Sequence, residues 1–153
     1  MNYFKFYHSI EVRYGDLDPQ GHVNNANYLT YIEQTRLAYI QYLGLWQADS
    51  FLDIGIILAE ASVTFIKPIF FGQAVRIGAR VTRLGNKSIS MEYCLEDTRS
   101  GCELANGSAV LVAYDYRSNH SIILPESWRR ILTEFEGLPA SESKNGINLK
   151  ETP

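Results

Sequence analysis

Residues 14–28 put Asp16, Asp18, His22, Asn24, Asn25 and Asn27 into one short stretch, together with Gly15, Pro19 and Gly21. Polar density of this kind is costly unless water, a ligand or the backbone satisfies each group. The stretch therefore reads as an active site rather than a connector. Asp18 precedes Pro19, which restricts its backbone to extended geometry and fixes the direction of its carboxylate. Such a carboxylate can act as general base toward water or attack an acyl carbon itself. The plainer alternative for either Asp is a carboxylate that bonds neighbouring loop amides, as turns of the Asp-Pro-x-Gly type do. Of the two, Asp18 is the better candidate.

The Gly21–Asn27 segment supplies the complement. One Asn is expected to cap a following helix, whose first free amides form a donor site for developing negative charge. His22 could orient the carboxylate, donate to a carbonyl or bind a metal. The metal reading is poor, because His8 and His120 stand at unrelated places and no ligand spacing is present. The sequence has no Gly-x-Ser-x-Gly elbow, no dinucleotide fingerprint and no phosphate-binding loop. Carboxylate-driven hydrolysis or acid–base chemistry beside a helix N-terminus is what survives. No metal and no cofactor is expected.

These residues need a strand before them and a helix after them. Phe4, Phe6, Ile10 and Val12 fall on one parity with polar residues between, which predicts a strand. From Tyr28 to Tyr42 the apolar residues recur at helical spacings and Gly44 is a good stop, so a long and well-buried helix is expected. Within it, the spacing of Glu33 and Arg36 favours an ion pair. Ile56–Ile66 reads as a strand with Glu60, Ser62 and Thr64 on one parity. Glu60 faces solvent on the outer side or reaches into the site. Residues 75–82 and 89–96 alternate around Gly85-Asn86, a hairpin signal. A second turn leads to a strand over 103–116, which would set Cys94 opposite a residue near Ala105 rather than opposite Cys102. Pro125 is expected near the first turn of a short C-terminal helix. The class is α+β: one long helix wrapped by a single antiparallel sheet of about five strands, with the last four in hairpin-like succession. Open sheet edges would make dimerisation through an edge strand a natural remedy.

At 153 residues, with 46% hydrophobic and 20% charged, the chain suits one soluble domain. We assign residues 1–136 to it and expect 137–153 to be a disordered tail, on its Ser, Glu, Lys, Asn and Gly content. A formal net charge of -3 disfavours a nucleic-acid partner. No segment approaches the roughly 20 apolar residues of a membrane span. No signal peptide is recognisable and two unpaired thiols are expected, so a cytoplasmic location is inferred.

The segment Tyr14-Gly-Asp-Leu-Asp-Pro-Gln-Gly-His-Val-Asn-Asn-Ala-Asn-Tyr28 resembles the signature of the 4-hydroxybenzoyl-CoA thioesterase family of hotdog-fold acyl-CoA thioesterases. The likeness extends through Glu33 and Arg36 and reappears in Val63-Thr-Phe-Ile-Lys-Pro-Ile-Phe-Phe-Gly72, covering about residues 5 to 130. It implies a hotdog fold and hydrolysis of a thioester to a carboxylic acid and free CoA. Asp18 then matches the catalytic carboxylate, as nucleophile or base, and the Asn25 amide matches the donor that polarises the carbonyl. His22 and Asn24 match positions often polar in this branch. Aryl-specific members can carry an apolar residue at His22, which implies an acyl group other than 4-hydroxybenzoyl. Arg83, Lys87 and Ser88 resemble a region that holds CoA phosphates, with Arg117 a weaker candidate. Relatives are commonly homodimers or homotetramers with shared sites. A hydratase or dehydratase on the same fold, and a non-catalytic acyl-CoA-binding or sensor module, are the competing readings. An acyl-carrier-protein thioester is a further substrate class.

Overall fold

A computed structural model of the chain describes residues 4–139. The elements are β1 (Phe6–Ile10), α1 (Asn25–Tyr42), β2 (Ile56–Phe65), β3 (Val75–Leu84), β4 (Ser88–Asp97), β5 (Glu103–Asp115), β6 (His120–Ser121) and α2 (Glu126–Glu136). The main path of the sheet is antiparallel in the order β1-β3-β4-β5-β2, with the short β6 pairing β5. This is the expected helix-and-sheet architecture with one difference in connectivity. β2 does not form a hairpin with β3; it crosses to the far edge and pairs with β5, Ile56 opposite Ala113 and Phe65 opposite Ala105. Apolar alternation marks a strand but does not name its neighbour, and the turn at Phe70–Gln73 gives room for the crossover.

Alternation is closely kept in the middle of the sheet. Val75, Ile77, Ala79 and Val81 on β3, and Ile89, Met91, Tyr93 and Leu95 on β4, are all buried toward α1. The hairpin between them closes as Gly85 N–H donates to the Ser88 carbonyl at 2.8 Å. Cys94 lies opposite Asn106, and both cysteines are free. On β2 the register slips between Leu58 and Glu60. That bulge at Ala59 resolves the placement of Glu60. Ile56 and Leu58 keep the inner parity, whereas Glu60, Ser62 and Thr64 stand opposite the outward residues of β5.

The helix is buried on one side only. Tyr28, Tyr31, Ile32, Thr35, Arg36, Tyr39 and Ile40 meet the sheet, while Leu29 and Tyr42 are 45% and 65% exposed. The wider burial expected from its apolar content is not found, because a single sheet covers a single face. Close approach depends on Gly107: a Cβ there would lie 2.9 Å from the Ser62 carbonyl oxygen and 3.0 Å from Ile32 Cδ1.

α2 begins after Pro125, as expected, but continues to Glu136, with Gly137 in the left-handed conformation that ends it. Its last carboxylate closes one end of the core, where Glu136 Oε1 accepts from the Tyr39 hydroxyl at 2.6 Å and from the Val81 amide at 3.0 Å. β3 bulges just there, between Val81 and Arg83. Beyond Pro139 the tail expectation lies outside the described residues. Among the described residues no helix is long and apolar enough to cross a membrane.

Candidate active site

The polar loop between β1 and α1 is held from within. Asp16 is 1% exposed. It accepts from the Arg13 amide at 3.0 Å, from Arg13 Nη2 at 2.8 Å and from the Tyr31 hydroxyl at 2.7 Å. The Arg13 guanidinium beside it holds its carboxyl below the usual carboxylate range. Its backbone carbonyl takes the Asn24 amide and Asn27 Nδ2, both at 2.9 Å. Asp16 is thus the post on which the loop is wound, the plainer of its two readings.

Asp18 opens a turn. Its carbonyl accepts from Gly21 N–H at 3.0 Å and its Oδ1 from the Gln20 amide at 2.9 Å. Pro19 suits the second position of that turn, and Gly21 has a φ of 84°, which disfavours a side chain. Local amide bonding is therefore real for one oxygen of Asp18. The other, Oδ2, lies 3.6 Å from His22 Nδ1, and both side chains are partly accessible. The loop then anchors to the segment after β2, where buried Val23 donates to the Ile69 carbonyl at 2.8 Å and His22 bridges Phe70.

α1 begins at once. Asn24 is the N-cap, its Oδ1 accepting from Ala26 N–H at 2.9 Å, while the Asn24 carbonyl accepts from Asn27 N–H at 2.9 Å. Among the described residues no acceptor faces the Asn25 amide, which leaves it free for an incoming oxygen. Asn25, His22, Tyr28, Phe65, Ile66, Lys67 and Pro68 line one open cleft of about 210 Å³. Tyr28 and Phe65 meet edge to face, with ring centroids 4.9 Å apart, and form its apolar wall. The Asn25 amide and the helix N-terminus put positive potential on one side, and Lys67 adds a cation.

The sequence candidates divide accordingly. His22 and Asn25 share the cleft; Asp18 meets it through His22 and is not among its lining residues. Asn24 caps the helix. Arg83, Lys87 and Ser88 sit at the β3–β4 hairpin, nine residues along β3 from the Val75 end that adjoins the loop, or about 30 Å away. One chain alone does not bring them to the cleft. Lys87 Nζ is 3.2 Å from Ser121 Oγ, and Arg117 pairs with Asp53. Nothing in the spacing of the sequence singles out Lys67, although the Lys-Pro step that follows β2 lies within the second segment of the family resemblance. Its Nζ donates to Cys102 Sγ at 2.8 Å.

Residues 12–135 match the family model described as the thioesterase-like superfamily. The chain belongs to the thioesterase-like superfamily. Several thioesterases are similar to this chain along most of their length. The long-chain acyl-CoA thioesterase FadM of Escherichia coli is 25% identical over 131 residues, 82% of this chain and 96% of that protein. A Thermus thermophilus thioesterase solved with coenzyme A and zinc is 33% identical with a TM-score of 0.79, covering 91% of this chain and 100% of the other. A DHNA-CoA thioesterase from Staphylococcus aureus is 26% identical with a TM-score of 0.76, covering 86% and 91%. The fold is the hotdog fold of these thioesterases, and the protein is an enzyme of their class.

Proposed function

We propose that the protein hydrolyses acyl-CoA thioesters to a carboxylic acid and free CoA. The observation that carries this reading is the unpartnered Asn25 amide at the start of α1, in the same cleft as His22, whose Nδ1 lies 3.6 Å from Asp18. The thioester carbonyl oxygen accepts from that amide, and the oxyanion of the tetrahedral intermediate forms there; one such donor is worth about 3 kcal/mol. Water attacks the carbonyl carbon, and its proton passes to the Asp18–His22 pair. Collapse of the intermediate breaks the C–S bond and releases the CoA thiolate, a fair leaving group that needs no protonation. Asp18 stands outside the cleft lining, which favours proton acceptance over direct attack on the acyl carbon. As the sequence resemblance implies, the acyl group is other than 4-hydroxybenzoyl.

The phosphate contacts belong to a second copy in this reading. β2 is an edge strand with Ile57, Leu58 and Phe65 exposed. Antiparallel pairing of β2 with its counterpart would place the Ile56 end of one protomer beside the Phe65 end of its partner. Arg83, Lys87 and Ser88 would then approach the cleft across the dimer rather than within the chain.

Free-thiol release from short, long, branched and aryl acyl-CoAs, with Asp18→Asn alongside, tests the activity. We expect turnover on at least one class and its loss in the variant. Absence of turnover on every thioester, with CoA still bound, would favour a binding module or a carrier-protein substrate instead.

A further inference from the structure

Arg36 and Lys67 both stand beside α1, and neither meets a carboxylate within ion-pair distance among the described residues. Arg36 forms no pair with Glu33, contrary to the helical spacing, because it turns in to the Tyr93 hydroxyl while Glu33 stays exposed. Lys67 is exposed, and the partner of its Nζ is the Cys102 sulfur at 2.8 Å. That is the length of an ordinary N–H···O bond, reached here to a larger atom.

The fold builds this contact from both sides. The Ile66 and Lys67 amides both donate to the Leu104 carbonyl at 3.0 Å, and Pro68 restricts the Lys67 backbone to extended geometry. Across the turn, the Cys102 carbonyl accepts from the Asp97 amide at 2.9 Å. Cys102 is half-buried, and its sulfur otherwise reaches the Glu103 carbonyl at 3.6 Å. Both residues lie beyond the Phe65–Ala105 pair that ends the β2–β5 ladder, so strand pairing along the β2 edge stops short of them. Cys94 is no alternative partner. It stands opposite Asn106, three residues along β4 from Asp97 and so about 10 Å from the Cys102 end, beyond disulfide reach. Burial also pushes its thiol up to about 11, which keeps it inert.

We propose that Lys67 and Cys102 form a redox switch: a peroxide joins the amine to the sulfur by a reversible S–N bond and so removes the one fixed cation lining the cleft. The Cys102 thiolate attacks one peroxide oxygen, the O–O bond breaks, and the departing hydroxide takes a proton from the Lys67 ammonium. Sulfur is oxidised by two electrons to the sulfenic acid, and the peroxide is reduced to water. The neutral amine then attacks that sulfur. The S–N bond forms, the S–O bond breaks, and hydroxide leaves with an amine proton as a second water. One thiolate, one ammonium and one hydrogen peroxide give one sulfenamide and two waters. A dithiol reverses the step, returning thiol and amine and becoming a disulfide itself. The sulfenamide nitrogen is uncharged at neutral pH, so the cleft loses its attraction for an anionic thioester. The bond forms without any turnover; its effect on hydrolysis rests on the thioesterase reading above.

The test exposes the full chain to hydrogen peroxide and reads intact mass, crosslinked tryptic peptides and acyl-CoA hydrolysis, before and after dithiothreitol. We expect a species lighter by two hydrogens, a peptide joined through Lys67 and Cys102, and the loss of both on reduction. Cys94→Ser should keep the crosslink. Cys102→Ser and Lys67→Arg should lose it, with Cys102 gaining oxygen instead in Lys67→Arg. KM for acyl-CoA should rise about threefold to fivefold with kcat little changed, the scale of one accessible charge contact, and recover on reduction. If no thioester is turned over, calorimetry with CoA reads the same loss of affinity, so the switch and the thioesterase reading fail separately. Oxygen gained at Cys102 of the wild type without a link to Lys67 would overturn the proposal. So would a product that vanishes in Cys94→Ser, the mark of a disulfide, or a crosslink that leaves KM and CoA affinity unchanged.

Discussion

Asp16 and Asp18 are two positions apart and serve opposite ends. Asp16 is sealed in by Arg13 and Tyr31, whereas Asp18 keeps one oxygen near His22 beside the cleft. Replacing Asp18 with Asn should lower kcat by a factor of about 10² to 10⁴, the usual range for a general base, with KM within about twofold. Turnover in ¹⁸O-labelled water refines this. Label should enter the product acid and stay out of the Asp18 carboxylate, and label found in Asp18 would establish direct attack instead. Asp16→Ala should act on stability, costing about 2–3 kcal/mol because the Tyr31 hydroxyl and the Arg13 amide lose a buried acceptor. The folded carboxyl of Asp16 titrates below its unfolded value, so its contribution is present above the unfolded value and fades as pH falls through the folded one. Melting curves of wild type and Asp16→Ala should therefore converge in strong acid and separate at neutral pH.

At the scale of elements, the helix and the sheet meet where β5 has no side chain. Gly107→Ala would press a Cβ onto the Ser62 carbonyl and Ile32, and neither the backbone of β2 nor a core side chain of α1 can retreat far. A loss of about 1–3 kcal/mol in denaturant unfolding is expected, as for overpacked cores in general. At Gly78 the obstacle is instead the root of the buried Phe4 ring, whose Cγ would lie 2.6 Å and Cβ 3.0 Å away, and Gly78→Ala should cost at least as much. The elements also differ in how far the sequence discloses them. The strands β3 and β4, their hairpin and the Asn cap of α1 are legible because each follows from period, turn chemistry or capping within a few residues. The crossover of β2 is not, since pairing is a property of distant segments. The bulges near Ala59 and Thr82 elude a strict period of two for the same reason. In the site, His22 and Asn25 are legible because one loop carries them. Lys67 and Phe65 arrive from the end of β2, and only the fold puts them opposite the helix start.

For the whole molecule, the separation between the loop and the hairpin is the decisive fact. Arg83 and Lys87 stand about 30 Å along the sheet from the Asp18 loop. If they serve CoA, they serve it on the partner, so each site takes its hydrolytic groups from one protomer and its phosphate contacts from the other. The prediction is complementation. Asp18→Asn should be inactive for lack of a base, and Arg83→Ala with Lys87→Ala should be impaired through KM. In the proposed dimer, the two variants unfolded together and refolded at equal amounts should form heterodimers at a random share of about half. Each heterodimer carries one site with both defects and one with neither, so activity should return to roughly a quarter of wild type. Arg83 and Lys87 acting within their own chain would give no such recovery, because every site would then keep a single defect. Adding Ile57→Lys on the exposed edge of β2 to both variants sharpens the reading. A charge buried against its counterpart weakens the pairing, and both the dimer mass in sedimentation and the recovered activity should fall together.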